Sequence, residues 1–150
     1  MNNMQGKFPS TRLRRNRMKE FSRRLVAENT LSVNDLILPL FVCEGNKVDD
    51  PINSMPGVSR YSIDKLLNQV EKAVTFNIPA IAIFPQIESG LKNSEGSLAV
   101  DENNLVCRSI KSIKKDFPNI GIVCDVALDP FTDHGHDGLV INDKIDNDKT

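Results

Sequence analysis

The sequence predicts an α/β protein organised around a parallel β-sheet. Three continuous apolar runs, beginning at residues 36, 80 and 120, have the composition of strands buried on both faces. Two segments between them carry apolar residues at helical spacing. The order strand, helix, strand, helix, strand is typical of parallel strands joined by right-handed helical crossovers.

The first predicted strand spans residues 36–43. Pro39 lies within it, and because proline cannot donate a ladder hydrogen bond, it affects where the strand begins and ends. Residues 44–60 are predicted to form a loop, since they contain turn-forming residues: Gly45, Pro51, Pro56 and Gly57.

The first crossover helix is predicted from Ser62 to about Asn77, ahead of Pro79. Ser62 is a favourable N-cap, and Asp64 places negative charge in the first turn. The predicted apolar stripe of this helix consists of Ile63, Leu66, Leu67, Val70, Ala73 and Val74.

The second half of the pattern repeats this arrangement. A strand is predicted at residues 80–84, a polar loop at 86–101, a helix at 103–117 and a third strand at 120–126. The apolar face of the second helix consists of Leu105, Val106, Ile110 and Ile113.

The third strand leads into residues 125–137, which hold four aspartates and both histidines of the chain. Carboxylates and imidazoles clustered after a buried strand favour an active site or a metal site on an α/β scaffold. The alternative is a solvent-exposed acidic loop shaped by Pro130 and Gly135. His134 and His136 could share one metal only on an extended backbone, so the active-site interpretation is preferred.

Composition indicates a water-soluble domain with reduced thiols. Of the 150 residues, 39% are hydrophobic and 26% charged, and no apolar run is long enough to span a membrane. The N-terminus has no apolar stretch of the kind found in secretory signals. Cys43, Cys107 and Cys124 are unevenly spaced, which predicts free cysteines in a cytoplasmic protein.

The charge is distributed unevenly. Residues 1–24 contain eight Lys or Arg and one Glu, so their net charge is +7. Because the whole chain has a net charge of −1, the remaining residues carry −8. Such a segment could bind nucleic acid, dock on an acidic neighbouring subunit or remain a solvated tail. Few aromatic residues accompany the basic ones, which favours the docking role over nucleic acid. Within this segment, residues 18–28 predict a short helix.

Two parallel architectures fit the pattern. A doubly wound nucleotide-binding sheet should have a glycine-rich turn after a strand, and neither Cys43–Asn46 nor 84–86 provides one. A (β/α)8 barrel needs no such turn and places its chemistry in the loops after the strands, where the acidic segment lies. Because the chain has only three such strands, it is either a small open sheet or part of a larger fold.

Six stretches of the sequence resemble one family in the order that the family has them. The chain is similar to the N-terminal part of porphobilinogen synthases, also called δ-aminolevulinic acid dehydratases. The matching stretches are residues 12–17, 21–25, 35–42, 54–58, 121–130 and 134–138. This resemblance implies a basic N-terminal arm with a short helix, residues 1–34, followed by the first units of a (β/α)8 barrel, residues 35–150. It also implies a homo-octamer in which the arm embraces a neighbouring subunit.

The resemblance implies a lyase that condenses two molecules of 5-aminolevulinate to porphobilinogen, with loss of two waters, in tetrapyrrole biosynthesis. Two lysines of the family form Schiff bases with the substrate ketones, which makes the neighbouring carbons more acidic. Neither matches a position in this sequence, so residues 1–150 by themselves are predicted to be inactive. The alternatives are a non-catalytic oligomerisation fragment of that enzyme or another Schiff-base barrel aldolase.

The resemblance also assigns residues in the acidic segment. Zinc-dependent members have three cysteines at the positions of Ala127, Asp129 and Asp137, so no thiolate zinc site is expected here. The sequence resembles members that use Mg²⁺ or a monovalent cation, with Asp129 and Asp137 lining the pocket or binding that cation. Asp125 matches an active-site aspartate with a supporting role in proton transfer or charge stabilisation. No role follows for His134 or His136.

Overall fold

The computed structural model describes residues 6–7, 9–12 and 14–150. The chain divides into two compact units, residues 1–32 and 33–150. The first contains two short helices, α1 (Arg15–Met18) and α2 (Glu20–Leu25), so the single helix predicted at 18–28 is wrong in its bounds. Lys19 between them is extended. Neither helix has a buried residue, so no packed face offsets the repulsion among the closely spaced arginines.

The second unit is built on a five-stranded sheet. Its strands are β1 (Ile37–Val42), β2 (Asp49–Pro51), β3 (Ser59–Tyr61), β4 (Ala80–Pro85) and β5 (Gly121–Cys124). They lie in the order β2-β3-β1-β4-β5. Strand β1 pairs in parallel with β3 and β4, β4 pairs in parallel with β5, and β2 is antiparallel to β3. The predicted parallel sheet is therefore confirmed.

Two features of the sheet differ from the prediction. The short strand β2 lies inside the predicted loop 44–60, and β3 begins inside it and ends one residue beyond, because three-residue strands leave too little pattern to detect. A two-stranded hairpin, β6 (Val140–Ile141) and β7 (Lys144–Ile145), was not predicted. Its turn residues Asn142 and Asp143 have φ of 51° and 59°, the left-handed conformation that a tight two-residue hairpin turn requires.

Pro39 fits into a central strand because its missing donor faces an unpaired edge. The Val42 carbonyl accepts from Gln86 beyond β4, whereas the Cys43 N–H donates to Tyr61 on the β3 side. Pro39 is four residues before Cys43, so by the alternation of a strand its nitrogen faces the β3 side. Strand β3 pairs only with Phe41 and Val42, so no ladder bond is lost at Pro39.

The first crossover helix, α3 (Ile63–Thr75), begins and ends close to the predicted positions. At its C-terminus the Ile78 N–H donates to the Ala73 carbonyl and the Asn77 N–H donates to that of Val74, both at 2.9 Å. Asn77 has a φ of 57°. This is a Schellman motif with asparagine in the left-handed position that glycine usually occupies.

The start of α3 is tied to the loop after β1. The Ser62 hydroxyl accepts from the Val48 N–H at 2.8 Å and donates to the Asp64 carboxylate at 2.6 Å, rather than capping its own helix. The same carboxylate accepts from the N–H of Lys47 at 3.1 Å. These hydrogen bonds, the Ser62 hydroxyl first, hold the pKa of Asp64 below its usual value.

Both crossover helices pack on the same face of the sheet. Helices α3 and α4 (Leu105–Asp116) each contact β1 and β4. The core between the helices and the sheet contains side chains from alternate strand positions and from one stripe of each helix. Its fully buried members include Val42, Leu66, Val70, Ile81, Ile83, Leu105 and Ile113.

The opposite face of the sheet has no covering layer within residues 33–150. Ile37 is 54% exposed and Val123 is 48% exposed, although both lie in strands. Phe41 and Phe84 lie on this face, with ring centroids 5.6 Å apart. A doubly wound sheet has helices on both faces, so this arrangement is that of a barrel wall.

Two composition-based predictions concern the described residues. Cys43, Cys107 and Cys124 are free thiols, as predicted. Within residues 6–7, 9–12 and 14–150, none of the helices has the length and apolar character needed to cross a membrane.

The hydrogen bonds to Asp64 predict a pH-dependent contribution to stability. Because the pKa of Asp64 is lower in the folded state than in the unfolded one, its contribution is complete above the unfolded value and is lost as pH falls through the folded value. Asp64→Asn should lower the midpoint of thermal unfolding at pH 7, and the difference from wild type should shrink below about pH 4. A difference in unfolding midpoint between Asp64→Asn and wild type that stays constant from pH 7 to pH 3 would contradict this prediction. The variant Asp116→Asn serves as control.

The uncovered sheet face predicts association of residues 33–150 when they are produced alone. Exposure of a few hundred Å² of apolar surface costs several kcal/mol at about 25 cal/mol per Å². Ile37→Lys with Val123→Lys should reduce association in sedimentation experiments. The control, Val74→Lys with Phe76→Lys, adds the same charge at exposed residues away from the strands. This control should not reduce association. If wild-type residues 33–150 are monodisperse, the exposed sheet face does not cause association and the prediction is wrong.

Candidate active site

The acidic segment borders a cavity at the carboxyl ends of the parallel strands. The cavity has a volume of about 600 Å³. Its wall includes Phe41 at the end of β1, Phe84 at the end of β4 and Asp125 directly after β5. Because parallel strands end at one edge, residues far apart in the chain meet there. Most other lining residues are apolar, including Val106, Ile110, Leu128 and Phe131.

The N-terminus of α4 forms one side of this cavity. Asn104 is the N-cap, and its side-chain oxygen accepts from the Cys107 N–H at 2.8 Å. Its amide group donates to the Ala99 carbonyl at 3.1 Å, which holds the preceding turn against the helix. Asn104 is therefore buried with its polar atoms satisfied.

Asp137 organises the backbone of the acidic segment. Its Oδ1 atom accepts hydrogen bonds from the N–H groups of Leu128 and Asp129, both at 3.0 Å. Two amide donors on one carboxylate oxygen stabilise its negative charge. Asp137 is not among the residues that line the cavity, whereas Asp129 is.

The carboxylates of Asp129 and Asp137 interact directly. Partial burial raises the pKa of Asp129, and the charge of Asp137, a hydrogen bond to it and the charge of Asp125 raise it further. The ammonium group of Lys92 acts in the opposite direction. The site thus concentrates negative charge around Asp129.

Asp125 and Ala127 both line the cavity, as does Cys124 just before them. The side chain of Asp125 is exposed at the end of β5. Burial, and next the proximity of Cys107, raises the pKa of Cys124, which keeps that thiol in its neutral, weakly nucleophilic form. Asp125 is therefore the group of this trio that is suited to proton transfer.

The two histidines are held by backbone contacts. His134 Nδ1 accepts from the His136 N–H at 3.1 Å, and His134 Nε2 lies 3.1 Å from the Ser94 carbonyl oxygen. Since a carbonyl oxygen only accepts, this pair of contacts requires the tautomer with the proton on Nε2. Neither histidine lines the cavity. His134 thus connects two loops.

A second loop, residues 89–97, is hydrogen-bonded to the acidic segment. The Asn93 N–H donates to the Phe131 carbonyl at 3.3 Å, and the Asp133 N–H donates to the Asn93 carbonyl at 3.2 Å. The neighbouring Lys92 lines the cavity. The sequence predicts no function for this loop, because an isolated lysine in a polar loop has no distinguishing pattern.

The donor set fits some cations better than others. Of the three positions 127, 129 and 137, Ala127 has no donor and Asp129 and Asp137 offer hard oxygens, which do not suit a thiolate zinc site. Two neighbouring carboxylates suit a hard cation such as Mg²⁺ if other ligands complete its shell. Within the described residues, no group of three or more His, Cys, Asp or Glu side chains is arranged to hold a metal ion.

Comparisons with known proteins agree with this geometry. The family model of delta-aminolevulinic acid dehydratase matches residues 10–150. A delta-aminolevulinic acid dehydratase of Bradyrhizobium diazoefficiens is 52% identical over 139 residues, covering 93% of this chain and 39% of its own. That of Chlamydia pneumoniae is 44% identical over 141 residues, covering 94% of this chain and 42% of its own.

A solved structure is similar as well. Delta-aminolevulinic acid dehydratase (porphobilinogen synthase) from Toxoplasma gondii ME49, in complex with the reaction product porphobilinogen, superposes with a TM-score of 0.85 at 40% identity. The match covers 93% of this chain and 40% of that one. The chain thus spans about two fifths of the length of these relatives. Its fold is the N-terminal portion of their (β/α)8 barrel, and the chain belongs to the delta-aminolevulinic acid dehydratase family.

Proposed function

We propose that the protein to which this chain contributes is a porphobilinogen synthase, a lyase of tetrapyrrole biosynthesis. It condenses two molecules of 5-aminolevulinate to porphobilinogen with loss of two waters. The observation that carries this proposal is the family match over residues 10–150, which includes the acidic segment beside the cavity. The Toxoplasma gondii relative contains porphobilinogen, the product of this reaction.

Asp125 is the proposed proton-transfer residue of this segment. It follows β5 directly, lines the cavity and has an exposed carboxylate. The reaction requires proton transfers and passes through positively charged amines and iminium groups, which a carboxylate stabilises. The apolar wall contributed by Phe41 and Phe84 lowers the local polarity and strengthens that interaction.

Asp129 and Asp137 are the proposed ligands of a hard cation, either Mg²⁺ or a monovalent ion. Their carboxylates interact with each other, and both are hard donors. Such a cation would neutralise this negative charge and polarise a substrate oxygen. Other groups must complete its coordination shell, since two carboxylates alone do not.

Residues 1–34 are the proposed docking arm of a homo-octamer in the cytoplasm. The support is the charge difference between residues 1–24, at +7, and the rest of the chain, at −8. Complementary charge favours association with an acidic neighbouring subunit. In addition, Phe21 and Leu25 of the short helix α2 are 66% and 81% exposed, so they are available for burial against a partner.

The proposed role of Asp125 predicts a loss of turnover. In the full-length protein that contains this segment, Asp125→Asn should lower kcat for porphobilinogen formation by about 10²- to 10⁴-fold, because the amide accepts no proton. Asp116→Asn, a change of the same kind at the end of α4, is the control and should leave kcat unchanged. A kcat for Asp125→Asn within roughly twofold of wild type would exclude proton transfer by this residue.

The proposed cation site predicts which metals support activity. Activity of the full-length protein should survive a zinc-selective chelator, because no thiolate stands at positions 127, 129 and 137. If a general chelator lowers activity, Mg²⁺ or K⁺ should restore it. Restoration by Zn²⁺ alone would refute the proposal.

A further inference from the structure

The chain reverses around Gly135, and two side chains hold this turn. The Thr132 hydroxyl donates to the His136 carbonyl at 2.9 Å, and the His136 N–H donates to His134 Nδ1 at 3.1 Å. Gly135 has a φ of 72°, the left-handed conformation that glycine adopts without strain. Thr132 is buried and His134 is half-buried. The main chain of His136 is therefore fixed at both its N–H and its carbonyl group.

This turn determines where the carboxylate of Asp137 lies. Asp137 directly follows His136, and its Oδ1 atom accepts from the N–H groups of Leu128 and Asp129. These donors precede Asp137 by nine and eight residues, so the carboxylate reaches them only because the chain reverses in between. The stretch from Asp125 to Asp129 lines the cavity. The orientation of the turn is thus transmitted to the cavity wall.

The imidazole ring of His134 is anchored outside the acidic segment. Its Nε2–H group donates to the Ser94 carbonyl at 3.1 Å. The loop that contains Ser94 is itself held in place, since Asn93 forms a parallel bridge with Thr132. Gly96 of this loop packs so closely that a Cβ atom there would lie 3.3 Å from Thr132 Cγ2. A ring hydrogen-bonded at both nitrogens has one orientation, because its rotation breaks both contacts.

We propose that His134 is a positioning residue that, anchored on the Ser94 carbonyl, orients the turn leading to Asp137. His134 does not line the cavity, so its effect on the reaction passes through the acidic segment. This inference rests on the proposed function and deepens it by naming a residue that holds the proposed site in shape. A displacement of reacting groups by about 1 Å is enough to lower the rate of an enzyme substantially.

The test compares four forms of the full-length protein: wild type, His134→Ala, His134→Asn and the control His136→Ala. Alanine at position 134 removes both ring contacts. Asparagine places an amide oxygen close to the position of Nδ1, so it still accepts from the N–H two residues on. The control removes the neighbouring imidazole, but the contacts of His136 in this turn are made by main-chain atoms and remain.

Hydrogen exchange of peptides that contain Leu128 and Asp129 measures whether the Asp137 carboxylate still accepts from their N–H groups. His134→Ala should speed this exchange about tenfold, because the carboxylate is released. His134→Asn should restore most of the protection, and His136→Ala should leave it as in wild type. Exchange in α3 should be the same in all four forms, because the effect is local.

Turnover gives a second readout. His134→Ala should lower kcat for porphobilinogen formation about tenfold with a smaller change in KM, because the groups of the acidic segment are displaced. His134→Asn should recover most of kcat.

Three results would overturn the proposal. Wild-type exchange and kcat in His134→Ala would show that the ring positions nothing. Equal effects of alanine and asparagine would show that the Nδ1 acceptor is not the determining contact. Faster exchange throughout α3 would indicate a general loss of stability. If the wild-type protein forms no porphobilinogen, the proposed function fails, while the exchange comparison still decides whether His134 positions Asp137.

Discussion

Burial of one face of the sheet by both crossover helices is the constraint on which the structure depends. Right-handed crossovers between parallel strands place successive helices on the same side, so α3 and α4 share one core with Val42, Ile81 and Ile83. The same parallel pairing brings the ends of β1, β4 and β5 to one edge. The cavity and the uncovered face both follow from this arrangement.

The sequence predicted those elements whose stability comes from this core. Periodic burial in α3, α4 and the three long strands leaves a repeating apolar pattern, which is why they were found within a few residues. The break at Lys19 and the hairpin at residues 140–145 leave no such pattern, because they bury little and depend on local backbone conformation. Pro39 is compatible with β1 because β3 pairs only with Phe41 and Val42, and this strand register could not be predicted from the sequence.

The site was predictable to a similar extent. A cluster of aspartates after a strand drew attention to residues 125–137, and the structure places Asp125 and Asp129 in a cavity wall. The role of Asp137 as acceptor for two backbone N–H groups could not be predicted, since it depends on a turn eight to nine residues away. Lys92 was missed because it reaches the site through a contact between two loops.

The environment of the Asp129–Asp137 pair explains how two neighbouring carboxylates are accommodated in the acidic segment. Two backbone N–H groups donate to Asp137, and these charge-assisted hydrogen bonds stabilise its carboxylate. Loss of hydration and the neighbouring charge of Asp137 raise the pKa of Asp129, so a cation bound between the two carboxylates would relieve the repulsion between them.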